Sequence, residues 1–191
     1  MGIDVLAFQF VHGLTGWAGM LDTAGVFFAQ YLPYLLGIAI IIFIFKSRSP
    51  KTRFKTFLFI TLTALLSRGI LTEAIGFFFL RPRPFDAFGF TPLISVSGAS
   101  FPSGHAAFFF AVSFAIFAID RTWGWWFFVL SVLNGLARVF VGVHYPLDVA
   151  GGFLVALVSY FVIAPIFKTP HAPLHEASHE THALQEEGET I

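Results

Sequence analysis

Three clusters of polar residues interrupt an otherwise apolar chain, and their side chains are those of phosphoryl transfer. They are Arg81-Pro82-Arg83-Pro84, then Pro102-Ser103-Gly104-His105, then Arg138 with His144 and Asp148. Arginine presents a planar fork that matches phosphate oxygens. The prolines around Arg81 and Arg83 fix the backbone that carries them. Pro102-Ser103-Gly104-His105 reads as the opening of a helix, where free N–H groups and the helix dipole favour an anion. Gly104 allows close backbone approach to a ligand, and Ser103 can cap the helix or donate its hydroxyl to phosphate. His144 and Asp148 are four apart with Pro146 between them, and proline favours a first helical turn. Asp148 can then reach back to the His144 ring, fix its tautomer and leave the other nitrogen free to attack. His105 is the natural general acid for a leaving oxygen. An attacking base and a protonating acid on opposite sides of phosphorus are what in-line displacement requires.

The elements that must bring these clusters together are membrane helices. Of 191 residues, 57% are hydrophobic, 12% are charged and 27 are Phe, with a mean hydropathy of +0.80. Soluble domains average about a quarter charged residues. The absence of cysteine excludes disulfides, thiolate catalysis and Cys-ligated zinc. A net charge of zero gives no reason to expect nucleic acid as a partner. The N-terminal segment lacks the basic n-region of a secretory signal. Five stretches qualify as the roughly 20 mostly apolar residues a membrane helix needs, and five transmembrane helices are expected: 26–45, 54–80, 103–119, 123–143 and 146–167. The opening segment, 3–20, reads as an amphipathic helix in the interface, with a short sixth span as the competing reading. The expected fold class is therefore all-α, a polytopic membrane helix bundle forming one domain over 1–168. The polar tail, 169–191, is expected to be disordered. His171, His175, His179 and His182 fall in it at helical spacing, but without a hydrophobic face they read as tail rather than as a metal site.

Lys46, Arg48, Lys51, Arg53 and Lys55 crowd the first link between spans, and the positive-inside rule assigns that link to the cytoplasm. Counting spans from there brings all three polar clusters to the outer face of the cell membrane. The loop 81–101 is expected to pack over the outer helix ends. Phe77, Phe78, Phe79, Phe108 and Phe109 are candidates to line a groove for a lipid chain.

The pattern Arg83-Pro84, Pro102-Ser103-Gly104-His105 and Arg138-x5-His144-x3-Asp148 resembles the type 2 phosphatidic acid phosphatase superfamily, which also includes vanadium haloperoxidases. The resemblance implies that His144 forms a phosphohistidine, Asp148 orients it, and His105 protonates the leaving group. It implies that Arg83, Arg138, Ser103 and the Gly104 amide hold the phosphate, and that neither a metal nor another cofactor is needed. Small bacterial undecaprenyl-diphosphate phosphatases are the most similar members in length, opening segment and the Thr72-Glu73…Arg-Pro-Arg-Pro-Phe arrangement. The implied partners are a lipid phosphate substrate and membrane lipids. Alternatives are a phosphatidylglycerophosphate or phosphatidic acid phosphatase, and a non-catalytic lipid-phosphate binder or transporter. The haloperoxidases are large and soluble, which this chain is not.

The chain departs from the family pattern twice. A lysine, or sometimes an arginine, usually stands seven residues before the first-motif arginine, and here that position is Gly76. Ala137 replaces the serine that usually precedes the third-motif arginine. Arg81 or Arg68 are the candidates to replace the missing cation, although Arg68 lies about 12 Å down the helix from Gly76. Arg68 and Glu73 are charges inside an apolar span, which are functional by default. Five residues apart on an α-helix, they do not share a face, so each is expected to pair with another helix, with Glu73 supporting the arginines of the site. Asn134 is a candidate partner for either, or an interhelical hydrogen bond alone.

Overall fold

Proline, glycine and a few caps punctuate the chain into helices. A computed structural model describes residues 2–167 and contains no strand among them. α1 is Ile3–His12 and α2 is Gly19–Lys46. α3 is Pro50–Phe78, and α4, Pro84–Phe88, is a single turn within the loop that follows. α5 is Gly104–Phe117, α6 is Arg121–Phe140 and α7 is Pro146–Phe167. Pro50, Pro84 and Pro146 each stand in a first turn, where a missing N–H costs nothing. Asp120 caps α6 by accepting from the Trp123 N–H at 3.1 Å.

Four of these helices, α2, α3, α6 and α7, are long and apolar enough to cross a membrane among the described residues. α5 has 14 residues, about 21 Å. It is apolar all round, as a helix enclosed by others should be. Ala107, Ala111, Val112, Ala115 and Ile116 on it are fully buried, and it packs on α3, α6 and α7. The main core joins α5 to Leu36 and Phe43 of α2, Phe59 and Ile60 of α3, Phe127 of α6 and Ile163 of α7. Phe109 also belongs to this core, whereas Phe77, Phe78 and Phe79 are exposed.

The opening segment departs from expectation. α1 ends at His12, and at ten residues it is about 15 Å long, too short for a sixth crossing. The first long helix begins at Gly19, seven residues before the apolar run itself. Asp22 explains the early start, because its carboxylate accepts from the Gly16 N–H and holds the turn ahead of α2. The His171–His182 run lies outside the described residues.

Two long helices contain π-helical stretches, Phe27–Tyr31 in α2 and Leu65–Leu71 in α3. The second overturns the expected geometry of Arg68 and Glu73. A π stretch widens the turn and brings residues five apart together, so Arg68 Nη1 donates directly to Glu73 Oε1. Neither charge seeks another helix for its partner. Glu73 is the more exposed, and it does not support the buried arginines. The α2 stretch accounts for Asn134, whose side chain donates to the Phe28 carbonyl at 2.7 Å as an interhelical bond.

Candidate active site

The start of α5, the turn between α6 and α7, and the loop after α3 meet at one end of the bundle. The joint between the first two is a backbone bond, Ser103 N–H to Asp148 carbonyl at 2.9 Å. The opposite end carries the basic link, where Lys46 pairs with Asp120 at 3.0 Å. All three polar clusters therefore lie away from the basic end.

Asp148 is fully buried and is the best-connected side chain of the site. Oδ2 accepts from Ser100 Oγ at 2.5 Å and from the Tyr145 N–H at 2.8 Å, and lies 3.6 Å from His144 Nδ1. Oδ1 accepts from Arg81 Nη1 at 2.7 Å. The expected His144–Asp148 pair is thus present in orientation, with the carboxylate held by three further donors.

His144 is also buried, and its Nε2 lies 3.4 Å from Arg83 Nη1. Burial pushes the imidazole down to about 4, with Asp148 pulling the other way and Arg138 and Arg83 reinforcing the fall. The ring is therefore neutral near pH 7, with one nitrogen towards the carboxylate and the other towards an arginine.

Arg83 is fixed by three carbonyls, those of Gly98, Val143 and Ser97, at 2.9, 2.9 and 3.0 Å. These bonds tie the 81–101 loop to the α6–α7 turn. Arg138, in the last turn of α6, donates from Nη1 to the Ala29 carbonyl at 3.3 Å. The residue four on from Ala29 is Pro33, which has no N–H to offer, so that carbonyl is left free for the arginine. His105 stands one residue into α5, and His144, Arg138, Arg83 and Arg68 are all within electrostatic range of it.

Several buried polar atoms here have no protein partner, namely Ser103 Oγ, Arg138 Nε and His144 Nδ1. Unsatisfied buried polar groups are costly. Clustered around two arginines, they form a site able to accept a tetrahedral anion. No group of three His, Cys, Asp or Glu side chains that could hold a metal ion occurs among the described residues.

Arg81 differs from its expected role as a phosphate ligand. Its Nη1 is given to Asp148, its Nη2 to Asp4 at 2.5 Å, and its guanidinium lies 3.9 Å from the Tyr145 ring centroid. It clamps α1 to the carboxylate. Asp4 completes the clamp by accepting from the Leu147 N–H at 2.9 Å. Asp4, Ser100 and Tyr145 are site residues that sequence reasoning missed. Asp4 alone left a signal, as the one acidic group of the opening helix, in its first turn. Ser100 and the Tyr145 amide act through the fold and left none.

Residues 57–171 match a family model described as PAP2 superfamily. The chain is 32% identical over 158 residues to undecaprenyl-diphosphatase BcrC of Bacillus subtilis, covering 81% of this chain and 79% of that one. It is 31% identical over 159 residues to the bacitracin transport permease protein BcrC of Bacillus licheniformis, covering 82% and 77%. Among solved structures, Aquifex aeolicus LpxE superposes with a TM-score of 0.69 at 25% identity, covering 86% of this chain and 96% of that one. A PAP2-type phosphatidylglycerolphosphate phosphatase from B. subtilis superposes at 0.58 with 22% identity, covering 86% and 84%, and supports the fold.

Proposed function

The chain belongs to the PAP2 superfamily, and from that premise we propose that it is a membrane phosphatase that hydrolyses a polyprenyl diphosphate, undecaprenyl diphosphate in particular, to the lipid monophosphate and phosphate. The observation that carries the chemistry is the buried His144 between the Asp148 carboxylate and Arg83. The undecaprenyl choice draws on the similar B. subtilis protein named for that activity.

In this mechanism Nε2 of neutral His144 attacks the terminal phosphorus as Nδ1–H faces Asp148. The bond from phosphorus to the bridging oxygen breaks, and the lipid monophosphate leaves with a proton from His105. Arg83, Arg138, Ser103 and the amide at Gly104 stabilise the oxygens of the five-coordinate transition state. Water then attacks the phosphohistidine, gives its proton to His105, and phosphate departs with His144 restored. Arg81 has a different task from the other arginines, because it positions Asp148. No step needs a metal.

Five crossings fit this reading, with α5 as the short central one and α1 lying in the interface. α5 starts beside Asp148 and ends beside the Lys46–Asp120 pair, so it runs the depth of the bundle. Residues 1–168 then form one membrane-embedded domain with its active site on the outer face of the cell membrane.

The test is phosphate release by detergent-purified protein from undecaprenyl diphosphate, phosphatidylglycerophosphate and phosphatidic acid. The diphosphate is expected to be preferred, in excess chelator as well as without it. His144→Ala is expected to lower turnover by about 1,000-fold or more, and brief exposure to ³²P-labelled substrate should label His144. A wild-type protein that releases no phosphate, or that strictly requires a divalent ion, overturns the reading. The first outcome would favour a carrier, as the name of the B. licheniformis relative suggests for that protein. A carrier has no need of a buried nucleophile oriented by a carboxylate, so hydrolysis is the better reading.

A further inference from the structure

Arg68 is the one arginine of this end that the mechanism above leaves without a task. It sits in α3, ten residues and about 15 Å from the helix end at Phe78. A charge at that depth is costly and calls for a reason. Its surroundings are specific. Ser67, fully buried beside it, donates to the Ala107 carbonyl at 2.8 Å and fixes the π stretch of α3 against α5. One turn nearer the site, the Arg68 side chain crosses Gly104. A Cβ on Gly104 would stand 2.4 Å from Arg68 Nε and 3.0 Å from its Cζ, so a glycine is needed for the arginine to lie there. Gly104 thus admits a cation as well as a ligand.

The three arginines near His105 are not equivalent. Arg83 and Arg138 are 7% and 4% exposed, whereas the Arg68 side chain is 45% exposed. Two are sealed in the protein beside His144. The third lies at the side of the bundle, over the first residue of α5 and beside His105, the group that serves the leaving oxygen. Glu73 pairs with it there and restrains a long side chain that would otherwise extend towards the headgroups.

We propose that Arg68 binds the leaving phosphate of a diphosphate substrate and so makes the site selective for diphosphates over phosphate monoesters. As the bond to the bridging oxygen breaks, negative charge collects on the departing phosphate. A guanidinium next to the proton donor stabilises that charge and spares the attacked phosphate. A monoester leaves as a neutral alcohol and gains nothing from Arg68.

This inference rests on the phosphatase reading, and the experiment separates the two. Wild type, Arg68→Gln, Arg68→Lys and His144→Ala are assayed in detergent on farnesyl diphosphate and farnesyl monophosphate, with pyrophosphate and orthovanadate as competitive inhibitors. Arg68→Gln is expected to lower kcat/KM for the diphosphate by about 50-fold, the size of one lost charged hydrogen bond, and for the monophosphate by less than about 3-fold. Pyrophosphate should bind more weakly to Arg68→Gln while orthovanadate binds as to wild type, and Arg68→Lys should recover part of the diphosphate rate. Equal losses on both substrates, or a change under about twofold on the diphosphate, overturn the role of Arg68 while leaving the phosphatase reading intact. Wild type inactive on both substrates is a failure of the phosphatase reading itself. Thermal unfolding of each variant identifies a folding defect, and in that case the inhibitor comparison on the folded Arg68→Lys protein decides.

Discussion

His144 is held neutral by its surroundings, and that has consequences at two levels of pH. An exposed histidine titrates near 6.5, but burial lowers this ring to about 4, more than Asp148 can raise it. The nucleophile therefore stays unprotonated well below pH 6, and its titration should not appear as a fall in kcat/KM near 6.5. The same displacement links to folding. Between about 6.5 and 4 the unfolded chain binds a proton that the folded site refuses, so stability falls as pH falls across that window. Thermal unfolding in detergent should show this slope, and His144→Gln should make it shallower; an unchanged slope would assign the acid sensitivity elsewhere. Asp148→Asn removes the carboxylate that orients the ring and opposes the lowering. Turnover should drop by about 100-fold or more as any remaining acid limb moves to lower pH.

The helices hold the site by close approach, and their small residues make that approach possible. A Cβ on Gly152 of α7 would lie 2.6 Å from the Ser103 carbonyl oxygen, 2.7 Å from Ala106 Cβ and 2.8 Å from the Ala107 nitrogen. Two of these are backbone atoms that cannot swing aside. Gly152→Ala must push α7 off the start of α5 and break the Ser103–Asp148 backbone bond that sets His105 against His144. The expected result is a loss of more than about 3 kcal/mol in stability, at the upper end for overpacking, with activity lost even in protein that remains folded. A variant that melts and turns over like wild type would mean that the two helices are not held at this spacing. The π stretches act at the same scale. One frees the Phe28 carbonyl for Asn134, and the other carries Arg68 over Gly104. A single lengthened turn in each of these two helices thus places one polar side chain. The α1 clamp is weaker because it is partly exposed. Asp4→Asn should cost about 3- to 10-fold in kcat/KM, less than Arg81→Ala, which also removes a donor from Asp148; equal effects would mean that Arg81 does not act through that carboxylate.

For the whole molecule, residue types and spacing were enough to find the long apolar helices and the residues that converge at one end, because hydropathy and fixed motif offsets survive as patterns in one dimension. The π stretches left no such pattern. They change the register of a helix by one residue, so Arg68 and Glu73 appeared to diverge when they in fact pair. Arg81 was likewise unreadable, since an arginine beside phosphate ligands and one beside a carboxylate look alike until Asp4 and Asp148 are seen flanking it. The side of the membrane is the remaining large-scale property, and charge argues for it. Lys46, Arg48, Lys51, Arg53 and Lys55 gather at the end opposite the site, and translocating that link would oppose the positive-inside bias. The chain has no cysteine, so one introduced thiol reports alone. Ala87→Cys, exposed on α4 beside the site, should react with a membrane-impermeant maleimide on intact cells. Ser49→Cys, exposed in the basic link, should react only after the membrane is opened. Labelling in the reverse order would turn the bundle over and deliver the phosphate product to the cytoplasm, whereas the expected order opens His144 and its arginines to diphosphates presented at the outer leaflet.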